Sequence, residues 1–187
     1  MSQTRNNVIT KNFSGKLGKQ IVFRNCDGVT VMAAVPKLTS NPPTEGQLTF
    51  RHTFLKATLY AKAMLANPLM KAKYALKATK RRSAYNVAVG DYIKPPVVDN
   101  IDASGYTGAV GEKIIVDASD CFEVTKVHVA IADNAGTVVE EGNCALDTMN
   151  LFWEYTTTVA HPVIAGLKVT ATATDNPGHT GQKELAL

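Results

Sequence analysis

The sequence predicts an α+β N-terminal module, formed by a β-hairpin plus a helical hairpin, followed by an all-β sandwich. The first observation is charge: residues 1–94 contain 16 Lys and Arg against 3 Asp and Glu, whereas residues 95–187 contain 4 against 13. The second is that apolar residues recur at helical spacing before this boundary and at every second position after it. Lys94-Pro95-Pro96 separates the two patterns and indicates a linker. We therefore expect a basic domain over 1–94 and an acidic domain over 95–187.

A β-hairpin is predicted around Asp27-Gly28. β-rich runs flank this pair, one from Gln20 to Arg24 and one from Val29 to Val35. The Asp-Gly pair accepts the positive φ angles that tight turns require. Because an isolated two-stranded ribbon is marginally stable, we expect it to pack on helices or on another subunit. Residues 39–43, which follow the hairpin, are predicted to form a loop.

Two helices are predicted after this loop. Thr44 and Gln47 have the spacing of a capping box, and apolar residues continue at helical spacing as far as Leu65. Asn67 and Pro68 end this helix and begin the next one, as its N-cap and first helical residue. The second helix is expected to extend to about Thr79.

The C-terminal half predicts short strands separated by turn residues. Its turns are the four-residue segments that begin at Asp133 and Asp175, each with the Gly or Pro that its geometry requires. Trp153, the only tryptophan, is the predicted aromatic anchor of the core. Strands at this spacing with no helix between them indicate a sandwich. The predicted strands are Lys113–Ala118, Thr125–Ala132, Leu151–Thr157 and Leu167–Thr174, with Val127, Val129 and Ile131 sharing one face and Val169, Ala171 and Ala173 another.

Segment 169–180 (Val-Thr-Ala-Thr-Ala-Thr-Asp-Asn-Pro-Gly-His-Thr) resembles the final hairpin of bacterial immunoglobulin-like repeats. Residues 127–138 are similar to the middle hairpin of those repeats. The resemblance implies an immunoglobulin-like sandwich over 95–187. It implies little about function, because such modules serve widely as spacers and adhesive decorations.

The N-terminal half resembles an uncharacterised family of bacterial and prophage-associated proteins. The shared pattern is Gly15-Lys16-Leu17-Gly18, a strand pair over 21–35, Pro36-Lys37, and a helix carrying Gln47, Arg51 and Phe54. The resemblance implies no biochemical role and no functional residues. Its association with prophages is its one functional hint.

The sequence shows no motif of an enzyme or a cofactor site. It contains no nucleophile elbow, phosphate loop or His-Glu-x-x-His sequence. Its four histidines lack metal-ligand spacing, and we expect them to be structural. Four aspartates at predicted strand ends have the chemistry to bind Ca²⁺, but aspartate is equally the standard turn residue, which we favour. These residues are His52, His128, His161 and His179, and Asp99, Asp102, Asp133 and Asp175.

The first seven residues are polar, and no run approaches the roughly 18 apolar residues of a membrane helix. We therefore expect a soluble chain made in the cytosol without a signal peptide. Cys26, Cys121 and Cys144 show no CxxC spacing. Cys121 and Cys144 could face each other within the sandwich, but buried free thiols are the favoured interpretation.

A cluster of cations near the second predicted helix is the strongest local charge feature. Clustered cations serve phosphate contacts with nucleic acid. They serve equally well for docking on an acidic protein surface, such as the C-terminal half of another copy. The candidate contact residues are Lys71, Lys73, Lys77, Lys80, Arg81 and Arg82.

A sandwich of a kind usually found outside cells, on a chain without an export signal, points to particles built in the cytosol and released by lysis. The leading hypothesis is a structural subunit of a phage virion or phage-tail-like particle. It would self-assemble as a homo-oligomer or with other particle subunits through the N-terminal module, and the sandwich would project or bridge to a neighbour. The alternative is an intracellular nucleic-acid-binding protein that uses the basic module.

Overall fold

The computed structural model describes residues 2–4, 13–26, 28–36 and 42–187. These residues form three helices and three four-stranded antiparallel sheets. The chain divides into two compact units, Met1–Phe50 with Thr79–Arg81, and Arg51–Ala78 with Arg82–Leu187. The predicted mixture of α and β structure is therefore confirmed, with mostly β content. Asp27 and residues 39–41, on which a predicted turn and loop fall, lie outside the described residues.

The sheet of the first unit contains the predicted hairpin. Strand β3 (Ile21–Cys26) pairs antiparallel with β4 (Val29–Ala34), and Gly28 between them has a φ of +78°. The predicted two-stranded hairpin is part of a larger sheet, because β1 (Ser2–Thr4) pairs with β4 and β2 (Gly15–Leu17) pairs with β3. These outer strands extend the ribbon to the order β1-β4-β3-β2.

Helices α1 (Glu45–Ala66) and α2 (Pro68–Leu76) begin at the predicted caps. The Thr44 N–H donates to Gln47 Oε1 at 3.2 Å, and the Gln47 N–H donates to Thr44 Oγ1 at 3.4 Å, which completes the capping box. Asn67 Oδ1 accepts from the Leu69 N–H at 2.9 Å, with Pro68 as the first helical residue. Both predicted helix starts are confirmed.

A third helix, α3 (Ala84–Ile93), was not predicted, so the expected helical hairpin was incomplete. Its N-cap is Ser83, whose hydroxyl accepts from the Asn86 N–H at 3.3 Å. The segment contains Gly90 and several β-branched residues, which weaken the local helical signal. Burial stabilises the helix instead, because Val87 and Ala88 are completely buried.

The remaining eight strands form two sheets that share one core, and we call them the paired sheets. One has the order β5-β6-β10-β9, and the other has the order β12-β11-β7-β8. The first contains β5 (Val97–Asp102), β6 (Lys113–Ser119), β9 (Ala145–Leu146) and β10 (Trp153–Thr156); the second contains β7 (Val124–Ala132), β8 (Val138–Asn143), β11 (Lys168–Asp175) and β12 (Thr180–Ala186).

The core of the paired sheets follows the predicted alternation. The inward residues of β7 and β11 are completely buried, and they pack in one cluster with Ile114 and Val116 of β6. The expectation for Trp153 holds in part: this side chain packs against the core but is only half-buried, whereas Tyr155 is 4% exposed. The buried residues of the two strands are Val127, Val129, Ile131, Val169, Ala171 and Ala173.

A second core lies between the helices and the connection from β6 to β7. Ala57 and Ala61 of α1, Tyr74 of α2 and Val87 of α3 cluster with Phe122 of this connection. Residues 51–66 of α1, helices α2 and α3, and the paired sheets thus belong to the same compact unit. Residues 94–96 join α3 directly to β5, and Pro96 is fully buried. None of the helices described combines the length and apolarity needed to cross a membrane.

Candidate functional site

The six basic residues predicted as contacts have different surroundings. Lys71 of α2 and Lys77, the C-cap residue of this helix, are exposed. On the same helix, Lys73 Nζ lies 3.1 Å from Glu123 Oε2. Arg82 is half-buried and hydrogen-bonds the Cys121 thiol. The last two, Lys80 and Arg81, belong to the first compact unit.

The contact between Lys73 and Glu123 joins the basic and acidic halves within one chain. Both side chains are about half exposed, so the pair itself contributes only about 0–1 kcal/mol. Next to it the rings of Tyr74 and Phe122 stack, with their centroids 4.1 Å apart. Apolar packing therefore provides most of the attraction here. A shallow cavity opens beside this contact and is lined by Lys73, Leu76, Lys77, Phe122 and Glu123.

A buried hydrogen-bond network links the three helices. The Tyr74 hydroxyl donates to Asp91 Oδ2 at 2.6 Å, the Tyr60 hydroxyl donates to the same oxygen at 3.4 Å, and the two hydroxyl oxygens lie 3.0 Å apart. Asp91 is completely buried. Burial raises the pKa of Asp91 to about 6, against the opposing effect of the hydrogen bond from Tyr74. Burial also raises the pKa of Tyr60 to about 12 and that of Tyr74 further.

The connection between β6 and β7 brings Asp120 and Cys121 next to Asp91. One carboxylate oxygen of each aspartate and Cys121 Sγ all lie within 4.8 Å of one another. Asp120 Oδ2 accepts backbone hydrogen bonds from Phe122 at 2.9 Å and Glu123 at 3.2 Å. The Oδ1 atoms of Asp91 and Asp120 are buried and have no hydrogen-bond partner among the described residues. Each carboxylate thus has one anchored oxygen and one unpaired oxygen.

Burial raises the pKa of the Cys121 thiol, and the neighbouring Asp120 and Asp91 raise it further. Arg82 acts in the opposite direction, because its guanidinium hydrogen-bonds the thiol and favours the thiolate. Arg82, one of the six predicted contact residues, therefore lies half-buried beside this cluster.

An ordered loop between β9 and β10 presents apolar side chains to solvent; we call residues 147–152 the apolar loop. Asp147 Oδ1 accepts from the N–H groups of Leu151 at 2.6 Å and Phe152 at 3.2 Å. Asn150 has a φ of +55°, the left-handed conformation that asparagine tolerates. The loop delays the start of β10 to Trp153, so the predicted strand over 151–157 began too early. Met149 is 74% exposed and Leu151 is 62% exposed.

Glu140 is a buried carboxylate with many donors. Its Oε1 accepts from the hydroxyls of Tyr155 and Thr158, each at 2.9 Å, and from the backbone N–H of Thr158. His161 Nε2 lies 3.3 Å from the other oxygen. Burial alone raises the pKa of Glu140, but these hydrogen bonds outweigh it and lower the pKa.

Two of the predicted turn aspartates, Asp133 and Asp175, accept backbone hydrogen bonds, and Asp175 is buried. Asp133 Oδ1 accepts from the N–H groups of Ala135 and Thr137, and Asp175 Oδ1 accepts from the His179 N–H. The turn interpretation of these aspartates therefore accounts for their contacts. All three cysteines are free; Cys121 packs on the helical core, whereas Cys144 packs on the core of the paired sheets.

Sequence reasoning missed Asp91, Asp120 and Glu140 as members of buried networks. One usable signal exists for Asp91, which is one of three acidic residues in the first 94 and stands in the apolar segment Ala-Val-Gly-Asp-Tyr-Ile. An isolated acid in such a segment is either paired or functional. Asp120 and Glu140 lack such a signal, because their partners are distant in sequence.

No family model matches the sequence, and no curated protein matches it significantly. An engineered protein with a crystal structure at 1.98 Å is 29% identical over 49% of this chain, with a TM-score of 0.35. The matched region spans 20% of that protein. CopC from Methylosinus trichosporium OB3b is 12% identical over 48% of this chain and 87% of its own, also with a TM-score of 0.35. Neither likeness carries an argument about fold or function.

Proposed function

We propose that the protein is a structural subunit of a phage virion or phage-tail-like particle, in which neighbouring copies join through two different surfaces. The paired sheets form an immunoglobulin-like sandwich that bridges to the neighbour through the apolar loop. The observation that carries the proposal is this loop, because it exposes large apolar side chains on an ordered backbone.

The strand order supports the immunoglobulin-like part of the proposal. In such sandwiches one sheet has strands A, B, E and D, and the other has G, F and C. Lettering β5 to β12 in chain order, with β8 as an added strand beside C, gives A-B-E-D for one sheet and G-F-C plus the added strand for the other.

The geometry of the apolar loop suits a docking contact. Asp147 fixes the backbone through its hydrogen bonds to residues 151 and 152, so little conformational freedom remains to be lost on binding. Burial of a large apolar side chain stabilises a contact by up to about 1.5–3 kcal/mol. Three such side chains, Met149, Leu151 and Phe152, are available on one short loop.

Exposed apolar side chains suited to contact with the loop also occur on the helices. Leu55 and Leu59 of α1, and Leu69 and Leu76 of α2, are each more than half exposed. Lys71 lies on α2 and Lys77 is the C-cap of this helix, whereas residues 95–187 carry the acidic excess. Contacts between two different surfaces of one chain generate rings or helical filaments, which are the geometries of phage tails and related particles. The resemblance of the N-terminal half to prophage-associated proteins favours a phage particle over other assemblies.

Nucleic-acid binding by the basic residues remains the alternative. Lys71 and Lys77 are available for phosphate contacts, whereas Lys73 pairs with Glu123 and Arg82 is half-buried beside Cys121. These internal contacts reduce the number of cations that a phosphate backbone could reach, so we favour assembly.

Sedimentation velocity and negative-stain microscopy of the full chain test the proposal. The wild type should form rings or filaments. Assemblies of the double variant Met149→Glu/Leu151→Glu should dissociate at a protein concentration at least tenfold higher than that at which wild-type assemblies dissociate. The matched control is Val163→Glu, because Val163 is 70% exposed and lies in the connection that leaves the other end of β10. Assembly should survive this control.

Monomers at every concentration, or equal weakening by both variants, would contradict the proposal. Tight, salt-sensitive binding of mixed-sequence DNA by a protein that does not assemble would favour the nucleic-acid alternative.

A further inference from the structure

We propose that Asp91, Asp120 and Cys121 bind a divalent metal ion of the zinc type, which fastens α3 to the connection between β6 and β7. The proposal is independent of particle assembly. It rests on three side chains from distant parts of the sequence whose ligand atoms meet within 4.8 Å of one another.

The two unpaired carboxylate oxygens are the main argument. Asp91 is completely buried, and its Oδ1 and that of Asp120 have no hydrogen-bond partner among the residues described. A buried oxygen without a donor is costly, and native proteins rarely leave one. A cation bound by these oxygens would remove this cost.

The anchored oxygens resemble the outer contacts of metal sites. Ligating carboxylates are commonly held by hydrogen bonds to the oxygen or edge that faces away from the metal. Here Tyr74 and Tyr60 hold Asp91 Oδ2, and backbone N–H groups hold Asp120 Oδ2. Both Oδ1 atoms are thereby left for a ligand, and neither carboxylate can rotate without losing hydrogen bonds.

The charges of the cluster favour a divalent ion. Two carboxylates and a thiolate carry three formal negative charges, and Arg82 beside the thiol supplies one positive charge. A divalent cation brings the sum to zero, which a buried site requires.

The donor types select among metals. A thiolate with two carboxylate oxygens suits zinc, whereas Ca²⁺ and Mg²⁺ prefer oxygen alone. Zinc bonds of about 2.1 Å to oxygen and about 2.3 Å to sulfur place tetrahedral ligand atoms about 3.5 Å apart. Metal binding would draw the ligand atoms, now within 4.8 Å of one another, closer together. Three protein ligands would leave one coordination position for water or another donor.

The test uses the full chain, first stripped of metal with a chelator. Isothermal titration with Zn²⁺ should show one saturable site per chain, and Co²⁺ should give a thiolate-to-metal charge-transfer band. Cys121→Ser should abolish this band and weaken Zn²⁺ binding at least tenfold, and Asp91→Asn should weaken binding without removing the band. Cys144→Ser is the matched control, because Cys144 is also half-buried but lies in the other core. Its titration and spectrum should equal those of the wild type.

Wild-type protein that shows no saturable Zn²⁺ binding would overturn the proposal, whatever the variants do. A cobalt band that persists in Cys121→Ser but disappears in Cys144→Ser would overturn it as well.

Discussion

The Tyr155 hydroxyl donates a hydrogen bond of 2.9 Å to Glu140 Oε1 and thereby joins the two sheets through their core. Tyr155 lies on β10 of one sheet and Glu140 on β8 of the other. Gly142 permits this approach, because a Cβ there would lie 2.6 Å from the Tyr155 ring. A carboxylate at this depth is tolerated only when donors surround it, and Thr158 and His161 supply the others.

The first prediction concerns this hydrogen bond. Tyr155→Phe keeps the ring but removes one donor from a buried carboxylate, so it should lower the free energy of unfolding by about 1–3 kcal/mol. Urea denaturation measures the change. Tyr85→Phe is the control, because the Tyr85 hydroxyl makes no hydrogen bond to the described residues, and it should change stability by less than about 0.5 kcal/mol. Equal effects of the two variants would show that the Tyr155 hydroxyl adds nothing.

The second prediction is the pH dependence that Glu140 contributes. Its pKa in the folded protein is below the ordinary value of 4.5, because its hydrogen bonds favour the ionised form. The stabilisation is therefore fully present above pH 4.5 and is lost as the pH falls through the folded-state pKa. Glu140→Gln should be less stable than the wild type at neutral pH, and this difference should shrink in acid.

Urea unfolding midpoints of both proteins, measured from neutral pH into acid, test whether the stability difference shrinks as the pH falls. Glu141→Gln is the control, because Glu141 is the next residue along β8, its side chain is 63% exposed, and its 4.0 Å contact with His128 is a surface pair worth about 0–1 kcal/mol. This variant should keep the pH profile of the wild type. A difference between Glu140→Gln and the wild type that grows as the pH falls would contradict the assignment.

The elements that the sequence predicted correctly depend on local chemistry. The capping box of Thr44 and Gln47 and the N-cap of Asn67 each join residues within three positions. The turns that begin at Asp133 and Asp175 are likewise closed by hydrogen bonds to residues four positions on. A few neighbouring side chains determine such features, so a sequence pattern reveals them.

The features that the sequence did not reveal depend on distant partners. Helix α3 is stabilised by burial of Val87 and Ala88 against other helices, and Gly90 obscures its local pattern. Trp153 was the predicted aromatic anchor, but Tyr155 is more deeply buried, because its hydroxyl finds a partner in Glu140. Asp91 and Cys121 meet only after the helices pack on the connection between β6 and β7.

The third prediction concerns the close approach of β5 and β12. A Cβ on Gly181 of β12 would lie 1.9 Å from the backbone oxygen of Pro96, immediately before β5. Gly181→Ala must therefore separate the backbones, and it should lower the free energy of unfolding by about 1–3 kcal/mol. Gly105→Ala is the matched control, because a methyl group added to Gly105 would meet no atom within 4 Å. Thermal or urea unfolding compares the two variants, and an unchanged stability in Gly181→Ala would show that the strands part at little cost.

The last prediction tests the electrostatic part of the proposed assembly. If lysines on α2 of one copy face the acidic surface of another, Lys71→Glu should weaken self-association, and added salt should weaken the wild type in the same way. The reason is that exposed charges interact over about 8 Å at physiological ionic strength but only about 3 Å at 1 M salt. Each exposed pair contributes about 0–1 kcal/mol, so one substitution should change the dissociation constant by less than about tenfold.

Lys126→Glu changes the net charge equally but lies on β7 of the acidic half, and it should leave association nearly unchanged. Sedimentation of the three proteins at low and high salt decides the matter. If both variants weaken association equally, net charge and not a specific contact of Lys71 explains the effect. If salt does not weaken the wild-type oligomer, the apolar loop alone accounts for the contact.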